Sequence, residues 1–151
     1  MSCERLLAAE HPIPRQATRE SQHLHLTPLP TAPREARRFA RSTATVLDAG
    51  RLDDLLILTS ELVTNAVLHP RTALELGVTI TDDAVLVCVG DGADGKPTSQ
   101  GHSNGRESGR GIMLVRELAD DWGVLPHAAR EGKAVWFLFR RSVGKAVGSG
   151  A

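Results

Sequence analysis

The stretch ALELGVTITDDAVLVCVGD, residues 73–91, decides what kind of fold this chain can form. Two apolar runs, 73–81 and 84–91, are separated by Asp82 and Asp83, which is the pattern of a β-hairpin. The second run is apolar on both of its faces, which predicts a central strand. The sequence therefore indicates a sheet whose remaining strands and covering helices lie on either side of this hairpin.

Upstream of the hairpin, the pattern first predicts a strand and a helix. HLHLTP, residues 23–28, alternates and stops at a proline, as a half-buried strand does. We predict a helix over Thr31–Asp48, because Thr31 is a suitable N-cap, Pro33 falls in the first turn and Gly50 follows the end. The arginines of this helix are expected on its exposed face.

A second helix is predicted from Arg51 to the residue before Pro70. It opens with Asp53 and Asp54 near its positive end, where acidic side chains are favourable. At roughly 100° per residue, one face carries apolar side chains that belong in the core. These are Leu55, Leu62 and Ala66, with Leu58 and Val63 at the edges of the face.

Downstream of the hairpin, residues 109–122 have helical periodicity, and WGVLPHA and KAVWFLFRR predict two strands joined by a turn around Gly132. Mixed helices and hairpins favour an α+β fold. We predict a two-layer sandwich, in which a mixed, mostly antiparallel sheet carries helices on one face. Residues 23–142 form this domain, with a mobile leader at 1–22 and a frayed tail at 143–151.

Composition and length bound the function classes. The chain has 151 residues, with 18 basic and 18 acidic side chains, so its charge gives no general attraction to nucleic acid or to an anionic membrane. Cys3 and Cys88 have no spacing that suggests a zinc site or a disulfide set. Because no apolar run resembles a secretory signal or a bilayer span, we expect a cytoplasmic protein.

The glycines after the central strand allow two phosphate-binding interpretations. Gly90, Gly92 and Gly95 match the G-x-G-x-x-G of a dinucleotide-binding turn, and Gly90, Gly95 and Lys96 nearly match a P-loop. Both motifs need a helix next, whose N-terminal amides bind the phosphate. The segment that follows is rich in Gly, Ser and Asn, which indicates a loop, so both interpretations weaken.

Three polar side chains follow one strip of the second predicted helix. Glu61 and Asn65 are one turn apart, and His69 continues the row. A carboxylate and an amide beside an apolar face are expected to face a cleft. Both offer oxygen ligands suited to magnesium, and the carboxylate could also accept a proton. Spacing alone favours the simpler alternative of surface residues, with His69 at the C-terminal end of the helix.

Three separated segments resemble the N box and the two glycine boxes of the GHKL nucleotide-binding superfamily. They are ELVTNAVLHP, the Asp91 that ends the central strand, and GRGIMLVRELADDWGV. Within that superfamily the chain resembles the small anti-sigma-factor-type serine/threonine kinases and their actinobacterial relatives, in which GRG(I/L)xLV, LAD-WG and GK-VWF also occur. The resemblance covers about residues 23–141, and it implies a Bergerat-type ATP-binding fold.

The resemblance implies a role for each matching residue. Glu61 matches the catalytic glutamate that activates the attacking hydroxyl, and Asn65 matches the asparagine that coordinates Mg²⁺ beside the phosphates of ATP. Asp91 matches the aspartate that accepts the adenine amino group, and a carboxylate is a pure acceptor suited to that donor. Further nucleotide-binding residues are implied at Gly95, Gly109, Arg110, Gly111 and Ile112.

In this interpretation the phosphates bind at the second glycine box. Gly109 and Gly111 let the backbone approach, and the helix that starts at Ile112 directs its amides toward the anion. The Gly-rich loop between the two boxes becomes a lid. Two departures from the family pattern are present, since Ala93 replaces the first glycine of a D-x-G-x-G box, and Ala134 follows Lys133 where members often carry a Thr or Ser.

Three functions stay open from the sequence. The first is a protein kinase that transfers phosphate to a Ser or Thr of a small anti-anti-sigma (STAS-type) antagonist protein, binds a sigma factor, or does both. The second is a binding module that holds a sigma factor or another partner and uses ATP structurally or not at all, which the altered glycine box favours. The third, a nicotinamide-dependent oxidoreductase, rests on G-x-G-x-x-G alone and lacks the βαβ unit. A homodimer is compatible with the first two.

Overall fold

The computed structural model describes residues 20–68, 74–91, 113–126 and 133–141. Within these ranges, five strands and three helical segments follow one another. In order, these are β1 (Glu20–Leu26), α1 (Ala32–Thr43), α2 (Ala49–Val67), β2 (Leu74–Ile80), β3 (Ala84–Asp91), α3 (residues 113–118), β4 (Asp121–Pro126) and β5 (Lys133–Arg140).

The five strands form one sheet in the order β1-β2-β3-β5-β4, and each neighbouring pair is antiparallel. The hairpin of residues 73–91 is confirmed, because β2 and β3 pair along their lengths from Leu74 opposite Asp91 to Ile80 opposite Val85. β3 occupies the middle of the sheet, as its apolar residues predict. Thr81 closes the turn, since its hydroxyl accepts hydrogen bonds from the backbone N–H groups of Asp83 and Ala84.

The helices cover one face of this sheet, and together they confirm the α+β sandwich. Alternate side chains of β3 divide between the two faces because successive residues of a strand point in opposite directions. Val85, Val87 and Val89 join the main core with the helices, whereas Leu86 and Cys88 belong to a smaller apolar cluster on the other face. That cluster, completed by Ala84, Ala134, Leu138 and the partly buried Trp136, is here called the second-face cluster.

The predicted helix over Thr31–Asp48 is wrong at its C-terminal end. α1 ends at Thr43, and Asp48 is the N-cap of α2, where its side chain accepts a hydrogen bond of 2.9 Å from the backbone N–H of Arg51. Asp48 is extended, with φ −66° and ψ 166°, so it cannot continue a helix. Gly50, expected just past the end of the first helix, lies inside the first turn of the second.

Three smaller boundary predictions also change. β1 runs from Glu20 to Leu26, three residues earlier at its start than the predicted strand. Thr31 occupies the N-cap position of α1, but its side chain makes no capping hydrogen bond. The helix predicted over 109–122 ends at residue 118 in the described part, because the backbone N–H of Asp120 donates to the carbonyl of Leu138 and starts the edge strand β4.

No helix in the described ranges is both long and apolar enough to cross a membrane. The predicted leader and tail lie largely outside the described residues, which begin at Glu20 and end at residue 141.

Candidate functional site

The site predicted from the sequence begins on α2, whose faces differ sharply in burial. Leu55 and Leu58 are 0% exposed and Leu62 is 7% exposed, which confirms the predicted core face. On the opposite side, Ile57 and Leu68 are 47% and 51% exposed. Glu61 and Asn65 are partly buried and lie at the border between these faces. The two side chains are thus accessible to a ligand but adjoin apolar surface.

Polar residues of α2 fall into two groups. Thr59 is fully buried, and its hydroxyl donates to the carbonyl of Leu55 at 2.8 Å, so its hydrogen-bonding need is met within the helix. Thr64 does the same on the exposed side, donating to the carbonyl of Ser60. Glu61, by contrast, is partly exposed, so a ligand can reach its carboxylate.

Asp91 lies at the same end of the sandwich as Asn65. It is the last residue of β3 and stands opposite Leu74, the first residue of β2. The chain leaves α2 at Leu68 and reaches Leu74 six residues later, which limits the separation to roughly 20 Å. Connectivity therefore brings the C-terminal half of α2 and the end of β3 to one end of the sheet.

The neighbour of this strand end is β5, where Ala134 stands opposite Gly90. Ala134 is 0% exposed, and its methyl group neither donates nor accepts a hydrogen bond. The departure from a hydroxyl residue noted in the sequence thus falls on the strand adjacent to Asp91.

α3 supplies the third part of the predicted site only at its described end. Val115 is fully buried, Leu114 and Leu118 pack against the main core, and Met113 is 61% exposed. The other predicted site residues lie outside the described ranges: His69, Gly95, Gly109, Arg110, Gly111 and Ile112. Their roles and the predicted lid stay predictions.

A polar contact that the sequence did not predict lies at the opposite end of α2. The guanidinium of Arg51 pairs with the carboxylate of Asp120, in the link between α3 and β4. The same oxygen of Asp120, Oδ2, accepts the backbone N–H of Arg140 at 2.7 Å. Arg51 also lies over the ring of Phe139, with its Cζ 4.7 Å from the ring centroid. We call these contacts the Arg51–Asp120 clamp.

The two partners of the clamp are 69 residues apart, so no local spacing joins them. The available signals were indirect. Arg51 follows Asp48 by three residues, which is the spacing of a side-chain cap to a backbone donor, and Asp120 belongs to the LAD-WG segment.

The oxygen ligands at the border of α2 fit a magnesium ion held jointly with a nucleotide. Mg²⁺ prefers carboxylate and carbonyl oxygens, retains several waters, and takes other ligands from substrate phosphates. Glu61 and Asn65 offer one carboxylate and one amide oxygen a turn apart, both partly exposed. The described residues contain no cluster of three or more His, Cys, Asp or Glu that could hold a metal ion.

A family model for the histidine kinase-like ATPase domain matches residues 26–139, which is more than half of the chain. The chain belongs to the histidine kinase-like ATPase family. Membership implies that the domain binds ATP, and the five-stranded sheet with helices on one face agrees with the fold of this family. A search of curated proteins finds no matching relative.

Within a histidine kinase-like ATPase domain, the three boxes recognised in the sequence fall on distinct elements. The segment that resembles the N box covers the C-terminal half of α2, the one that resembles the first glycine box follows the end of β3, and the one that resembles the second precedes the described part of α3. The dinucleotide alternative is not supported, because β3 is followed in the sheet by antiparallel β5 rather than by a parallel crossover partner.

Proposed function

We propose that the protein binds Mg²⁺–ATP between the C-terminal half of α2, the end of β3 and the start of α3, and transfers the γ-phosphoryl group to a protein hydroxyl. The observation that carries this proposal is the placement of Glu61 and Asn65, one turn apart and partly exposed, on a helix whose adjacent face is fully buried. A buried carboxylate at Glu61 could not reach a substrate, and a fully exposed one would lack a pocket wall.

The residues have separate tasks in this reaction. Asn65 would hold Mg²⁺ through its amide oxygen, and a bound ion would neutralise charge on the phosphates. Asp91 would accept a hydrogen bond from the exocyclic amino group of adenine. The acceptor hydroxyl oxygen bonds to the γ-phosphorus as the bond to the β–γ bridging oxygen breaks. Glu61 takes the hydroxyl proton, and ADP leaves.

The acceptor we propose is a Ser or Thr on a small anti-anti-sigma (STAS-type) antagonist protein. When this antagonist is absent, the protein would bind a sigma factor instead. This part rests on the resemblance to anti-sigma-factor-type kinases and on the segments GRGIMLV, LADDWG and GKAVWF that carry it. Transfer to the antagonist would release it, and after ADP is exchanged for ATP the protein would return to its sigma factor.

A second candidate is a module that binds its partner without phosphoryl transfer. Ala134 favours it, because the strand beside Asp91 offers a buried methyl group where a hydroxyl could support the adenine-binding carboxylate. Loss of that support weakens the hold on adenine without affecting the partner surface.

Transfer of labelled phosphate separates the two candidates. The purified protein is incubated with Mg²⁺ and γ-labelled ATP, together with the small antagonist-type protein encoded nearest to its gene, and label on that protein is measured. The kinase proposal expects label on Ser or Thr, removed by chelation of Mg²⁺. ATP binding by equilibrium dialysis without any label on the antagonist would instead favour the binding module.

A further inference from the structure

The Arg51–Asp120 clamp lies at the end of the fold remote from Asp91. Asp120 is bonded to the backbone of Leu138 and Arg140, and this end of β5 stands beside Ala84, the first residue of β3. Asp91 is the last residue of β3 and lies at the opposite end of that strand. α2 therefore runs from the clamp at its first turn toward the predicted nucleotide site at its last turns.

Helix α2 is a rigid connection between these two ends. Glu61 follows Arg51 by ten residues, which is about 15 Å along a helix axis. The clamp joins the start of α2 to the chain directly after α3, and Met113, the first described residue of α3, follows Gly111 of the predicted second glycine box by two residues. One contact thus links the helix of the N box to the helix of the phosphate-binding box.

Stability alone does not account for the arrangement. Arg51 and Asp120 have side chains that are 31% and 30% exposed, and ion pairs at such positions contribute little to folding. Several contacts nevertheless fix the positions of these two residues. The backbone N–H of Arg51 is held by Asp48, its guanidinium is placed over the buried ring of Phe139, and Asp120 is fixed to β5. Such a contact restricts position more than it adds stability.

We propose that Arg51 and Asp120 are positioning residues for the phosphoryl transfer, and that they act by fixing α2 against α3 so that Glu61 meets the γ-phosphate. The inference rests on the proposed function. A displacement of about 1 Å in a reacting group can lower a rate by about a hundredfold. Loss of the clamp is therefore expected to lower the rate of transfer about tenfold or more, with a change of less than about threefold in the Kd of Mg²⁺–ATP.

A distance measurement tests the clamp without nucleotide. Spin labels are placed at the exposed positions Thr64 on α2 and Met113 on α3, in a Cys3→Ser background, where Cys88 is 1% exposed and is expected to be protected from the label. We expect one narrow distance distribution. Arg51→Gln should broaden it, Arg51→Lys should restore it in part because the charge is kept, and Arg37→Gln, an exposed arginine of α1, should leave it unchanged.

The same variants are then assayed for transfer and for ATP affinity, well below their melting temperatures. The inference is supported when Arg51→Gln and Asp120→Asn lower the rate, bind ATP normally, and show no additional loss in combination. It is overturned when both the distance distribution and the rate match those of Arg37→Gln. If the wild-type protein binds no ATP, the proposed function is rejected. If the distance distribution still broadens in Arg51→Gln, the structural role of the clamp stands without that function.

Discussion

Glu61 and Thr59 lie two residues apart on α2, and their surroundings explain why only one of them is a candidate for chemistry. Thr59 is buried and bonded to its own helix. Glu61 is partly exposed. Helical spacing predicted the border position of Glu61 and Asn65, because residue types alone define the buried face. Spacing could not predict Arg51 with Asp120, since that contact depends on how the whole sheet is assembled.

Substitution of Glu61 by Gln tests the proton transfer. The amide keeps the size of the side chain but cannot accept a proton, so transfer should fall by about a hundredfold or more while ATP still binds. Asn65→Ala should instead lose magnesium-dependent ATP binding together with activity. Asp53→Asn, an exposed change on the same helix, is the matched control. Transfer by Glu61→Gln at the wild-type rate would contradict the general-base role.

Replacement of Asp91 by Asn tests adenine recognition. Mg²⁺–ATP should raise the melting temperature of the wild-type protein, because a ligand selective for the native state stabilises it. The variant should lose most of that shift, because the NH₂ group of the Asn amide is a hydrogen-bond donor and cannot pair with the amino group of adenine, which is also a donor. An equal shift in both proteins, measured by thermal denaturation, would remove Asp91 from this role.

Gly123 is required by the packing of one aromatic ring. It stands opposite Trp136 across β4 and β5, and a Cβ at this position would lie 2.6 Å from the indole nitrogen. We expect Gly123→Ala to displace the ring and to lower the free energy of unfolding by about 1–3 kcal/mol, as overpacking does. Val124→Ala, at the adjacent and 42% exposed position, should cost less than about 1 kcal/mol in the same urea titration.

At the scale of elements, the two long helices begin with different caps. Asp48 bonds to the backbone of Arg51, whereas Thr31 makes no side-chain cap bond. Asp48→Ala should therefore destabilise the protein by about 1 kcal/mol, and Thr31→Ala by only a few tenths. Urea denaturation of the two variants checks this. Equal losses would show that the Asp48 cap has no special weight.

Element types were predicted more reliably than their ends. The strands of the hairpin followed from uninterrupted apolar runs, and α2 followed from its periodic leucines. The end of α1 was wrong because Asp48 and Gly50 suit either the end of one helix or the start of the next, and only the hydrogen bond to Arg51 distinguishes them. The start of β4 was missed because Asp120 and Asp121 continue a helical pattern, while pairing with β5 turns them into a strand start.

For the molecule as a whole, the central position of β3 makes Cys88 a probe of unfolding. Cys88 belongs to the second-face cluster and is 1% exposed. In a Cys3→Ser protein, we expect a thiol reagent to modify Cys88 at a rate set by global unfolding, because an opening confined to an edge strand does not expose the middle of the sheet. The rate should rise with urea in step with the denaturation curve. Rapid modification in native buffer would show that this face opens by itself.

The two apolar faces of the sheet also separate the intrinsic fluorophores. The chain contains two tryptophans and no tyrosine. Trp122 packs against the core on the side of the helices, and Trp136 belongs to the second-face cluster. The emission spectrum is thus the sum of the emission of one indole on the helical side of the sheet and that of one indole on the opposite side. With Trp136→Phe, the remaining signal comes from Trp122 alone, which gives a label-free optical titration of events on the helical side.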